Sequence, residues 1–110
     1  MNIKELQKEI HENAVQHGWW EQERNFGELI ALVHSELSEA LEESRKGRGV
    51  NETYYNADKP FKPEGIPSEL ADVVIRVLDM CEHYEIDLED MIVNKHEFNK
   101  SRPYKHGKQF

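Results

Sequence analysis

Apolar residues recur at helical spacing in four stretches of the chain. In the first, Ile3, Leu6, Ile10 and Ala14 fall on one face of a helix predicted from about Asn2 to His17. Asn2 and Glu5 have the spacing of a capping box, and Gly18 is a natural stop. The second helix opens near Asn25, where Asn25-Phe26-Gly27-Glu28 repeats the capping pattern, and runs to about Lys46 before Gly47. Its Leu29, Ile30, Val33, Leu37, Ala40 and Leu41 share one side. The third begins around Pro67-Ser68 and runs to about Tyr84. Its β-branched Val73-Val74-Ile75 reads locally as a strand, but the long apolar pattern around it, broken at Glu69, Asp72, Arg76 and Asp79, favours a helix. Asp87 caps a fourth helix that runs to about Lys100, before Pro103.

Residues 47–65 keep no helical period. Gly47, Gly49, Pro60, Pro63 and Gly65 punctuate them, so a loop is predicted there. Its Tyr54, Tyr55 and Phe61 either fold over something or pin a surface loop to itself. With no strand pair and turn chemistry in view, the expected fold is all-α. It is a four-helix bundle-like single domain over residues 1–110, with the 47–65 loop as an elaboration.

Length sharpens this expectation. A domain of 110 residues buries only a modest core. Yet Leu70, Ala71, Val73, Val74, Ile75, Val77, Leu78, Met80 and Cys81 cover far more than one stripe of the third helix. A helix apolar over most of its circumference is buried on several sides. A partner subunit would supply the missing cover, so completion by oligomerisation is expected, with a homodimer or homotetramer as the symmetric solutions.

Composition then narrows the function. Charged residues make up 33% of the chain, apolar ones 37%, and the formal net charge is −8. That balance argues against a non-specific nucleic-acid binder. It leaves room for a small anionic substrate, because a bound divalent cation inverts the local charge. The lone Cys81 permits no intrachain disulfide, which fits a reducing compartment, and its apolar neighbours make it a core residue. The charged start Met1-Asn2-Ile3-Lys4-Glu5 has no apolar signal core, and no apolar run is long enough to cross a membrane. The expected location is cytoplasmic, with neither membrane nor nucleic acid as partner.

The chemistry-bearing pattern is acidic. Glu36, Glu39 and Glu43 form a stripe along the border of the second helix's apolar face. Glu69 and Asp72 stand three residues apart on the third. Carboxylates at that spacing are about 5–6 Å apart at Cβ and repel unless a cation lies between them. Two helices packed through their apolar faces would bring Glu36, Glu39, Glu69 and Asp72 together. An all-oxygen set suits a hard cation: Mg²⁺, Mn²⁺ or Ca²⁺. A solvated acidic face is the competing reading, although Glu28 to Ser44 contains no lysine or arginine to pair with its glutamates. No histidine has a glutamate three residues before it, so the Glu-x-x-His pairs of di-iron bundles are missing, and no Cys/His set has zinc spacing.

The segments Leu29-Ile30-Ala31-Leu32-Val33-His34-Ser35-Glu36-Leu37-Ser38-Glu39-Ala40-Leu41-Glu42 and Ser68-Glu69-Leu70-Ala71-Asp72-Val73 resemble the all-α nucleoside triphosphate pyrophosphohydrolases of the MazG-like family. That family is marked by Glu-x-x-Glu on one helix and Glu-x-x-Asp on the next. Lys62-Pro63-Glu64-Gly65-Ile66-Pro67 and the tail from Lys95 to Gly107 are similar to one of its subgroups, so the likeness covers roughly Gly18 to Gly107. The stretch between Glu39 and Glu69 is long for the family pattern. The resemblance implies Mg²⁺-dependent hydrolysis of a nucleoside or deoxynucleoside triphosphate to the monophosphate and pyrophosphate. It implies Glu36, Glu39, Glu69 and Asp72 as catalytic metal ligands, and homo-oligomers with the cleft near the subunit interface.

Secondary candidates for the substrate are Lys95, Asn99, Lys100 and Arg102, a basic patch in an acidic chain suited to phosphate oxygens. Cations also simply suit the end of a helix. Trp19 and Trp20 are stacking candidates for a base, with packing expected for at least one. Arg76 and Asp79 either support the acidic site or form an i,i+3 ion pair, and His34 is read as structural. Two other functions compete. One is a non-catalytic acidic dimerisation or adaptor module; the other is a pyrophosphohydrolase of the same fold acting on a different nucleotide.

Overall fold

Four helices carry most of the chain in the computed structural model, which describes residues 1–110. In chain order they are α1 (Ile3–Gln16), α2 (Phe26–Arg45), α3 (Ile66–His83) and α4 (Leu88–Lys100). Between α2 and α3 lie two strands, β1 (Tyr54–Asn56) and β2 (Lys59–Glu64), and a short 3₁₀ turn at Tyr104–Gly107 follows α4. No helix is long and apolar enough to cross a membrane.

The helix starts follow their caps. Asn2 Oδ1 accepts from Glu5 N at 2.8 Å, and Asn2 Nδ2 donates to Glu5 Oε1 at 3.2 Å. Asp87 Oδ1 accepts from Asp90 N at 3.1 Å at the head of α4. At α2 the cap differs from the expected box. Asn25 Oδ1 accepts from Gly27 N at 2.7 Å, while Glu28 pairs with Arg24 at 2.8 Å instead of reaching back to the cap. The β-branched run of α3 is helical although Val74 and Ile75 stay exposed, held within a helix whose Ile66, Leu78, Met80 and Cys81 are buried.

The fold is mostly helical, as expected, but the 47–65 segment, expected as a loop, adds a small two-stranded sheet. β1 and β2 pair antiparallel, with Tyr54 opposite Glu64, Asn56 opposite Lys59, and a register irregularity between them. Pro60 and Pro63 cannot donate to a ladder, and such residues are tolerated only at an edge or a bulge. An isolated two-stranded hairpin is marginal in water. This one is tied down by Tyr54, whose hydroxyl donates to Glu43 at 3.0 Å and whose ring lies 3.6 Å under the Arg48 guanidinium. Gly65 closes the segment at φ +113°, where an added Cβ would sit 2.3 Å from the Glu52 carbonyl oxygen. Only glycine fits there.

α3 is the hub, with α2 on one side and α1 on the other; α4 leans on the start of α1 through Lys4, which pairs with Asp87 at 3.2 Å. The core is small: Leu29 and Ala40 from α2, and Ile66, Leu78, Met80 and Cys81 from α3. Gln7 is buried between α1 and the end of α3, and its amide donates to Glu82 at 3.0 Å and to the Ile86 carbonyl at 2.9 Å. The expected apolar faces are only partly used. Leu37, Leu41, Leu70 and Val74 stay exposed, and the α2–α3 contact runs through Glu36 and Arg76 instead.

Candidate metal centre

The α2–α3 contact brings the acidic pairs of both helices together. Glu36, Glu69 and Asp72 each offer a carboxylate oxygen within 4.8 Å of the others. Glu39, one turn after Glu36 on the more exposed side of α2, stands within hydrogen-bonding reach of Glu69. Glu36 is 8% exposed, which is unusual for a carboxylate. The third glutamate of the α2 stripe, Glu43, is taken up by Tyr54 and belongs to the hairpin anchor.

The electrostatics of the cluster are unbalanced. Burial, then the hydrogen bond and charge of Glu39, then the charges of Asp72 and Glu36 push the Glu69 carboxyl up to about 7. Burial also raises Asp72, with Glu36 and Glu39 adding to the effect and Arg76 and Lys62 opposing it. Glu69 Oε2 is buried and has no hydrogen-bond partner. A buried polar atom without a partner calls for an explanation, and a bound ion is one. Oxygens on one cation lie at most twice the metal–oxygen distance apart, about 4.2 Å for Mg²⁺ and about 4.8 Å for Ca²⁺. The all-oxygen donor set therefore suits a hard divalent cation.

Beside the carboxylates lies an open cavity of about 370 Å³. Trp19, Glu36, Asp72, Ile75, Arg76 and Asp79 are among the residues that line it. Arg76 Nε donates to Glu36 Oε1 at 2.8 Å, so Arg76 does not form the i,i+3 pair with Asp79. Asp79 is buried and accepts from Trp20 Nε1 at 3.0 Å, and the same oxygen lies 2.8 Å from His11 Nδ1.

The two tryptophans thus divide their roles. Trp20 stacks on His83 at 3.9 Å and bonds to Asp79, which makes it packing between the residue 18–25 segment and α3. Trp19 is the aromatic that borders the cavity, with Arg24 3.7 Å over its ring and Arg76 at 5.2 Å. Lys95, Asn99, Lys100 and Arg102 are exposed on α4 and just beyond it, and none lines this cavity. Lys100 pairs with Glu97 at 2.8 Å. His34 is exposed, and Cys81 is buried, with burial pushing its thiol up. Sequence reasoning did not single out His11, which lies on α1 far from its partner Asp79 in the chain, or Lys62 as a neighbour of Asp72. Comparison with protein-family models, with curated proteins and with solved structures finds no match for this chain.

Proposed function

We propose that the chain is a Mg²⁺-dependent pyrophosphohydrolase that cleaves a nucleoside or deoxynucleoside triphosphate to the monophosphate and pyrophosphate, in the manner of the MazG-like family. The observation that carries the reading is the meeting of Glu36, Glu69 and Asp72 around an orphaned carboxylate oxygen beside an open cavity. The likeness of the two acidic motifs to the family supplies the reaction. Glu36, Glu69 and Asp72 hold the cation, and Mn²⁺ serves as a substitute. When bound, the cation neutralises phosphate charge and orients the chain for in-line attack by water. Glu39, beside Glu69 and open to solvent, accepts the proton of that water. Trp19 walls the cavity on the side where a base or sugar would rest.

The same reading includes a homo-oligomer that completes the helical bundle. The chain exposes 8473 Å², whereas a compact 13.0 kDa monomer exposes about 6,300 Å². Its radius of gyration is 16.6 Å, against about 13 Å for a compact domain of this length. The uncovered Leu37, Leu41, Leu70 and Val74 are the surface a second copy would take. Lys95, Asn99, Lys100 and Arg102 would then meet substrate from a neighbouring subunit. Light scattering at micromolar concentration should report at least a dimer, and a clean active monomer rejects this part.

Pyrophosphate release from a panel of nucleotides, with and without Mg²⁺, tests the reaction. Glu36→Gln and Asp72→Asn should each lose activity by more than the about 10–100-fold typical of an outer partner, with helical content intact. Wild-type-like turnover in both variants rejects the site. A folded protein that releases no pyrophosphate from any nucleotide and ignores Mg²⁺ leaves the adaptor reading in its place.

A further inference from the structure

Arg76 is the only basic side chain lining the cavity, and it is bound to a candidate metal ligand. Its Nε–H donates to Glu36 Oε1, while its terminal amino groups make no hydrogen bond to the protein. The side chain is 30% exposed, against 11% for that of Glu36, so the guanidinium sits at the cavity wall with the carboxylate behind it. It projects from α3 one turn beyond Asp72, on the same side of the helix. The ring of Trp19 lies 5.2 Å from the guanidinium, with Arg24 3.7 Å over the same ring.

Two cations cannot share Glu36 on equal terms. A divalent ion among Glu36, Glu69 and Asp72 would draw on the same carboxylate that Arg76 now holds through Oε1, and would repel the guanidinium. Three carboxylates and one divalent ion still carry net negative charge, which opposes a phosphate chain. The charge of Arg76 offsets part of that excess, to which Glu39 and Asp79 also contribute. Its planar fork also matches two phosphate oxygens in a way a lysine ammonium does not.

We infer that Arg76 has two positions: it occupies Glu36 while the carboxylates hold no cation, and it turns its free N–H groups onto a phosphate oxygen once they do. The inference rests on the metal centre proposed above and adds a substrate-binding residue to it. It also gives an order of events, cation first and phosphate second, because the phosphate anchor is released by the cation.

The test uses the full chain, Mn²⁺ alone, and inorganic tripolyphosphate added as its preformed Mn²⁺ complex, with binding read by calorimetry at fixed pH. Arg76→Met should bind free Mn²⁺ at least about threefold tighter, since a competing positive charge is gone. The same variant should bind the Mn²⁺–tripolyphosphate complex about tenfold more weakly, since a charge-assisted contact is gone. Arg76→Lys, which keeps the charge but not the fork, should bind Mn²⁺ as wild type does and the complex more weakly; it carries the test if Arg76→Met does not fold by circular dichroism. Opposite signs on the two ligands are the signature, because a residue that only steadies Glu36 would weaken both. Weakening of both, or no change in either, overturns the inference and leaves the metal centre standing. Failure of wild type to bind Mn²⁺ overturns the metal centre and the inference with it.

Discussion

Replacing Glu69 by glutamine should stabilise the metal-free protein at alkaline pH. The Glu69 carboxyl titrates at about 7 in the folded chain, against an unperturbed 4.5, chiefly because burial and Glu39 disfavour its charge. Between those two values the folded protein holds a proton that the unfolded chain has released, so stability falls as pH rises through the window. The contribution is fully present below about pH 4.5 and gone above about pH 7. The difference corresponds to about 3 kcal/mol, which solvent screening of a partly exposed group and the joint readjustment of the neighbouring carboxylates reduce to about 2. Glutamine is neutral throughout and can still donate to Glu39, as the protonated acid does. In EDTA at pH 8, Glu69→Gln should therefore be about 2 kcal/mol more stable than wild type, which is about 8 °C in Tm for a domain of this length. At pH 4.5 the two should melt together.

Adding Mg²⁺ should reverse the order. A ligand that binds only the folded state raises the wild-type Tm by mass action, whereas the variant has lost a ligand and gains little. Because the cation displaces the Glu69 proton, wild-type affinity should also strengthen from pH 6 to pH 8. Thermal melts followed by circular dichroism at pH 4.5 and 8, in EDTA and in Mg²⁺, at one protein concentration, cover all arms. A Glu69→Gln protein less stable than wild type at pH 8 in EDTA would refute the reasoning, as would an equal Mg²⁺ response in both.

Three further outcomes follow from the same geometry. Arg102→Ala should raise KM for a triphosphate about tenfold with Tm unchanged, as expected for an exposed phosphate contact; a lower Tm with unchanged KM means the side chain serves only the end of α4. Gly65→Ala should destabilise by more than about 1 kcal/mol in urea, because φ is +113° and the new Cβ meets the Glu52 carbonyl, and should weaken Mn²⁺ binding because Glu69 lies on the first turn of α3. Hydrogen exchange should show Mg²⁺ slowing amides of α2 and α3 far more than those of α4; uniform slowing along the chain would contradict a site shared between those two helices.

The helices were legible because their ends carry chemistry of their own. Asn2, Asn25 and Asp87 are caps whatever the tertiary fold, and Gly18, Gly47 and Gly65 all take positive φ at or near helix ends. The hairpin was not legible, since Pro60 and Pro63 and the Ala57-Asp58 connection carry none of the usual pairing signals. What holds it, Tyr54 on Glu43 and Gly65 on Glu52, is a set of contacts and not a pattern. The acidic pairs were legible from spacing, but their depth was not. A helical wheel puts Glu36 on a border, whereas the crossing of α2 and α3 puts it inside the contact and leaves Leu37 in solvent. The same crossing decides that Arg76 turns to Glu36 and not to Asp79, its neighbour along the helix. Trp19 and Trp20 are indistinguishable in sequence, and only the placement of Asp79 and His83 separates packing from cavity wall.

Placing carboxylates in the main helix contact of so small a core has an energetic consequence. Burying unpaired charge opposes folding, and apolar residues at Glu36 and Glu69 would serve the α2–α3 contact better. Arg76 offsets part of the repulsion but reaches only Glu36, and the Glu69 oxygen stays without a partner. A contact built this way is weakest where its chemistry is strongest, as in sites where stability yields to function. The proposed cation would cross-link α2 to α3 through Glu36 on one side and Glu69 and Asp72 on the other. It would thereby close the chain segment that includes the hairpin and strengthen the contact that the carboxylates weaken. Metal binding, the setting of α2 against α3 and the freeing of Arg76 are then one event, so the cleft becomes competent for an anion only when the contact that forms it is complete.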